Sequence, residues 1–267
     1  MNSYIALSYF DLMIAASLLL INGALSIWLK LGLERQYLIA AARMVVQLVL
    51  VGLVLKFLFA TTTPWWTLLA AVTMGGFAGR EIMARQERRF TGWWGHGLGF
   101  GTMMIAGSLV TVLALTITIQ ASPWYDPRFA LPLFGMVLGN AMTGIALGLN
   151  TLTATVTRER PAIEAQLLLG ATGWQAMLPF TRRALTNGLM PIINSMAATG
   201  VVSLPGMMTG QILAGVDPTE AVKYQLLVMF LIGGATGLGV MLAIFGSVRR
   251  LMDHRHRLRL DRLQRPA

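Results

Sequence analysis

Seven apolar runs, near residues 8–29, 37–59, 65–83, 96–119, 130–152, 188–214 and 222–247, constrain this chain more than any single motif. Each approaches the roughly 20 residues needed to cross about 30 Å of hydrocarbon. Inside a bilayer the backbone must satisfy its own polar groups, and a run of this length does so as a helix. The expectation is an all-α, polytopic membrane protein with about seven transmembrane helices in one domain, residues 1–267. Composition agrees, because 55% hydrophobic and 12% charged residues leave too little polar surface for a water-soluble globule. The first Lys or Arg is Lys30, so no basic segment precedes the first run, which reads as a span rather than a cleaved signal.

Charge sets the orientation. With the N-terminus outside and seven crossings, only Lys56, Arg128 and Lys223 of the 21 lysines and arginines face outward. Basic residues collect on the cytoplasmic side, which predicts N-out, C-in. The net charge of +10 is therefore a matter of membrane orientation and lipid headgroups, not of nucleic acid. The bilayer of a bacterial inner membrane is the expected setting.

Several chemistries are excluded. Cysteine is absent, which removes disulfides and thiolate chemistry. None of the three lysines follows a glycine, so no G-x-x-x-x-G-K-[ST] phosphate loop exists. The row Gly95, Gly97, Gly99, Gly101 lies in an apolar run and is read as packing. The same holds for Gly75/Gly79, Gly135/Gly139, Gly144/Gly148 and Gly233/Gly237, whose four-residue spacing lets helices approach closely. His96, His254 and His256 form no H-E-x-x-H motif, and His96 is read as an interfacial packing residue. The chain is expected to be no enzyme and to bind no cofactor, so ATP-driven work would use ATP held by a partner subunit.

Three segments are left for the cytoplasm. The loop Arg80–Trp94 carries Glu81 and Arg85 at i,i+4, a spacing that supports an exposed helix; it reads as a charged, solvated turn held by anionic headgroups or, more sharply, as a second docking surface for a cytoplasmic partner. The tail 248–267 is basic and is read as held by anionic headgroups. Segment 158–187 is too polar to span. Its Ala165, Leu168, Leu169, Thr172 and Ala176 fall at helical spacing, predicting one apolar stripe on a single cytoplasmic helix. Glu164 sits near that helix's start, and Gly170 permits a turn or a close approach.

Polar residues inside the runs mark the candidate translocation path, since each is costly in hydrocarbon unless it meets protein or water. They are Gln47, Asn140, Asn150, Asn194 and Gln211, with Asn22 and Ser195 beside them. Ordinary hydrogen bonding between helices is the plainer role for each. Ser203, Pro205, Gly206, Met207 and Met208 join the set, because Pro205-Gly206 is expected to break a single helix over 188–214 and leave carbonyls free near an outer gate. No carboxylate or histidine set in the runs makes a firm metal site. A metal cargo would travel weakly held, hydrated or chelated.

Glu164-Ala165, with Gly170-Ala171-Thr172 farther on, resembles the coupling segment of ATP-binding-cassette permeases. Residues 132–140 (PLFGMVLGN), Arg160–Thr172 and Thr199–Phe230 resemble the FetB/YbbM-type permeases of iron-export ABC transporters, a family with a plant aluminium-tolerance branch. The importer motif is only partly met: Gln166 stands at its third position and Phe180-Thr181-Arg182-Arg183 where I-x-L-P is expected. The resemblance implies a permease subunit exporting iron or another metal cation, powered by ATP hydrolysed in a cytoplasmic ATP-binding-cassette subunit, and working as a homodimer. It implies ATPase coupling through Arg160, Glu164, Ala165 and Gly170, with Glu81 and Arg85 as a second surface. The plant branch is tied to UDP-glucose, so a permease for a non-metal substrate is one alternative. A stand-alone secondary transporter or channel is the other, although the seven runs show no clear internal repeat.

Overall fold

The structure is a computed structural model that describes residues 8–61 and 63–264. The described residues form nine α-helices: α1 Tyr9–Trp28, α2 Glu34–Thr61, α3 Pro64–Ala84, α4 Trp93–Leu113, α5 Pro127–Arg158, α6 Arg160–Leu168, α7 Gly173–Ala198, α8 Gly206–Leu213 and α9 Pro218–Leu251. A π-helical turn, Ala114–Thr118, prolongs α4. The protein is an all-α membrane protein. Among the described residues, five helices are long and apolar enough to cross a bilayer: α1, α2, α4, α5 and α9. α3 and α7 fall short by that measure, α7 carrying Arg182 and Arg183 ten residues inside it.

Local chemistry starts the helices where the chain supplies caps. The Ser8 and Thr172 hydroxyls accept from the backbone N–H of Asp11 and Gln175, whose side chains reach back in capping boxes. Asp126 and Asp217 cap α5 and α9, each followed by a proline whose fixed φ suits the first helical position.

α5, α7 and α9 form the centre. At their crossing, a Cβ on Gly144 would lie 2.6 Å from the Gly188 carbonyl oxygen, and one on Gly188 would lie 2.8 Å from Val240 Cγ1. Gly144 and Gly148 therefore do pack as the spacing predicts, against Gly188. Gly79 likewise admits α4, a Cβ there reaching 2.9 Å from the Phe100 backbone. Gly97, Gly101, Gly139 and Gly237 face open space instead. One core cluster surrounds Leu152, Ile163, Met177, Leu251 and Leu263; a second, toward the opposite end, surrounds Leu115, Val137, Ile192 and Ile232.

Two expectations need correction. The run 188–214 is not one helix broken at Pro205-Gly206. α7 ends at Ala198, Gly200 turns the chain at φ +90°, and α8 begins afresh at Gly206. Pro205 sits in the N-cap position of α8, where its missing N–H interrupts no helical bond. Segment 158–187 is not one helix either, being divided between the end of α5, α6, a turn at 169–172 and the first half of α7. Leu168 and Leu169 are exposed while Ala176 is buried, so the anticipated single stripe is split. The described part of the basic tail folds back on the bundle.

Candidate functional site

α6 is nine residues long and joins the two longest-packed helices of the centre at one end of the bundle. Ile163 is fully buried and anchors it. Arg160 Nε donates to Glu164 Oε1 at 2.7 Å along its outer side, where Ala165 is also exposed. The helix closes with Gly170 at φ +91°, the Ala171 N–H donating to Gln166 O and the Gly170 N–H to Leu167 O, both at 3.1 Å. This double closure needs a left-handed residue, which explains the glycine. The closing turn holds Leu168 and Leu169 outward, 89% and 88% exposed. A rigid tip with two bare leucines, beside an Arg–Glu pair, is chemically a docking knob.

The loop between α3 and α4 and the chain after α9 complete that end. Phe90 and Leu263, both buried, form an isolated antiparallel bridge. The Thr91 N–H donates to Arg262 O at 2.9 Å and the Gln264 N–H to Arg89 O at 2.7 Å. Arg262 Nη1 donates to Arg250 O at 2.6 Å, and the Arg250 guanidinium stacks 5.0 Å from the Trp94 ring. The Gly173 N–H, at the start of α7, donates to His256 Nδ1 at 3.1 Å. The tail thus clasps the α3–α4 loop on one side and the α6–α7 turn on the other. Two of its carboxyls are held low: Asp253 by the Arg257 backbone N–H above all, and Asp261, brought to about 2, chiefly by the Arg259 side chain. Arg265 lies outside the described residues, as does the side chain of His96.

Glu81 and Arg85 face elsewhere. Glu81 accepts from Arg43 of α2 at 3.3 Å and lies 3.5 Å from Arg85. With Gln47 they line a cavity of about 650 Å³ between α2 and α3. Gln47 is therefore grouped with these charges and not with the other path candidates. Asn150 also belongs to this end, its Oδ1 accepting from the Glu87 backbone N–H at 3.2 Å, so it fastens the α3–α4 loop to α5.

The remaining polar candidates divide between a seam and the α8 region. Asn187 Nδ2 donates to Thr151 Oγ1 at 3.3 Å across the α5–α7 seam. Asn194 is two turns beyond Asn187, and Asn140 three turns before Thr151, so helical geometry puts all four on one face. Asn140 and Asn194 are exposed there, Asn140 donating only to its own helix, at Met136 O. Thr151 and Asn187 were missed from the sequence; the seven-residue step from Asn187 to Asn194 was the available signal. In the α8 region, Ser203 is exposed, Gly206 opens α8, Met207 packs on the second core cluster and Met208 is half-buried. Gln211 Oε1 is buried without a hydrogen-bond partner among the described residues. No group of three His, Asp or Glu side chains gathers for a cation among the described residues.

Comparison with known proteins follows this geometry. A family model described as "Uncharacterised protein family (UPF0014)" matches residues 9–252. "UPF0014 membrane protein slr1647" of Synechocystis is 38% identical over 78% of this chain and 80% of its own. The Escherichia coli "Probable iron export permease protein FetB" is 33% identical, covering 88% of this chain and 89% of its own. "Protein ALUMINUM SENSITIVE 3" of Arabidopsis thaliana is 34% identical over 78% of this chain and 74% of its own. The resemblance drawn from residues 132–140, 160–172 and 199–230 is met by these relatives. No solved structure matches.

Proposed function

The chain belongs to the UPF0014 family of multi-pass membrane proteins, and we propose that it is the permease subunit of an ATP-driven exporter. A separate cytoplasmic ATP-binding-cassette subunit supplies the energy, and two copies of this chain enclose the path in a bacterial inner membrane. The observation carrying this reading is α6, a short capped helix projecting Leu168 and Leu169 into solvent at the basic end of the bundle. α5 and α9, with 32 and 34 residues, are about 48 and 51 Å long. They exceed the roughly 30 Å of hydrocarbon, which leaves length for this end to stand clear of the bilayer. On the reading of seven crossings, N-out and C-in, that end is cytoplasmic. A push on α6 passes directly into α5 and α7, between which it is tied.

The α5–α7 seam supports the rest. Exposed Asn140 and Asn194 are costly against lipid but suited to a second copy or to an aqueous path between copies. The proposed cargo is a metal cation, iron first, after the printed name of the Escherichia coli relative. With no carboxylate or histidine cluster among the described residues to grip it, the cation crosses hydrated or chelated. Leu168→Glu combined with Leu169→Glu tests the reading in cells co-expressing an ATP-binding-cassette subunit. The fold is expected to persist while co-purification and ATP-dependent metal export in inside-out vesicles fall at least about tenfold, a loss near 1.4 kcal/mol of binding. Full retention of both would refute the coupling role.

A further inference from the structure

The space between α2 and α3 serves no step of the proposed transport. α2 buries one residue, Leu58, near its outer end, where Arg128 also reaches the Phe59 carbonyl at 3.5 Å. At the other end α2 stands away, leaving the cavity of about 650 Å³ open at the side. Its walls are of two kinds. Ile39, Met44 and Phe77 give an apolar flank along the helices, while Arg43, Glu81 and Arg85 form a charged rim. Glu81 bridges both arginines, which leaves one positive charge in excess. Arg43 and Arg85 keep about half of their side-chain surface exposed. Within a bilayer such a wedge is filled, and its filler must be apolar along one side and anionic at one end.

We infer that this wedge binds an anionic phospholipid of the cytoplasmic leaflet, its phosphate between Arg43 and Arg85 and an acyl chain along Met44 and Phe77. Basic pockets between membrane helices on the cytoplasmic side are suited to acidic headgroups, whose charge a zwitterionic lipid cancels. Guanidinium groups add paired donors for phosphate oxygens. Glu81 then competes with the lipid for the same donors, so the acid limits affinity while it keeps the arginines in place.

The experiment compares dioleoyl-phosphatidylglycerol with dioleoyl-phosphatidylcholine on the full chain in neutral detergent, by native mass spectrometry and thermal melting. Phosphatidylglycerol is expected to stay bound and to raise the melting midpoint by roughly 5 °C at a hundredfold excess over its dissociation constant. Arg43→Gln with Arg85→Gln abolishes that preference while the melt in phosphatidylcholine stays the same, which shows the variant folded. Glu81→Gln strengthens phosphatidylglycerol binding several-fold, an outcome a purely structural ion pair does not produce. Equal stabilisation by phosphatidylcholine, a preference surviving the double arginine variant, or weaker binding in Glu81→Gln overturns the inference. Inorganic phosphate matching phosphatidylglycerol overturns it as well, by showing a site for a free anion.

Discussion

The α1–α2 hairpin and the α5–α7–α9 centre are both built for a membrane, yet they are packed by opposite rules. α2 is as apolar as any helix here and buries one residue, Leu58; among its described residues α1 buries only Ser26, which accepts the Leu33 N–H and holds the turn into α2. α7 is interrupted by two prolines and two arginines and nevertheless buries eight side chains or glycines at its crossings. Lipid solvates apolar side chains as well as protein does, so hydrophobicity does not decide which helices pack. Close approach does, and Gly144, Gly148 and Gly188 supply it in the centre, whereas Gly23 and Gly52 in the hairpin face open space.

Paired substitutions break or sharpen that contrast. Gly188→Leu drives carbon into Val240 and the Gly144 carbonyl and is expected to cost about 3 kcal/mol or more. Gly52→Leu meets nothing within 4 Å and should stay within about 0.5 kcal/mol. Thermal melts of the two in one detergent measure the difference, and equal losses would end the contrast.

Next in size is Leu263→Ala, which empties a buried place beside Phe90 and is expected to cost about 2 kcal/mol. The tail should become a protease target before the bundle melts. Unchanged proteolysis would mean that the clasp does not hold the tail.

A smaller loss, about 1 kcal/mol, is expected for Asn150→Ala, which frees the Glu87 N–H. Faster amide exchange confined to residues 85–92, with the hairpin unchanged, is the signature.

The smallest effect is that of pH. Asp253 and Asp261 both titrate below the ordinary 3.8, Asp261 at about 2. Groups lowered on folding stabilise fully above their unfolded value and lose that contribution as pH falls through the folded one. Tail protection should therefore be flat from neutral pH to about 4 and decline toward about 2, as followed by limited proteolysis with an acid-active enzyme.

The candidate site was half legible in the sequence. Glu164 and Gly170 mark α6 and its closing turn because capping is local: the glycine's φ of +91° is a demand made by its immediate neighbours. Pro205 was misjudged for a reason equally physical. A proline reads as a helix breaker, but here Thr199 and Gly200 end α7 first, and Pro205 merely starts the next helix. The tail was read as a lipid-held basic strip because Leu263 has no meaning without Phe90, far away in the chain.

What the sequence determined by itself is the all-α, membrane-spanning character of the chain and the gathering of its charge at one end. Both follow from run length and charge order, which a bilayer reads locally. The tertiary structure decided the rest: the clasp of Leu263 on Phe90, the polar seam of Asn140, Thr151, Asn187 and Asn194, and the wedge at Arg43, Glu81 and Arg85. Each joins residues from separate helices, and among helices that lipid solvates equally well, only small-residue contacts and polar pairing select the neighbours.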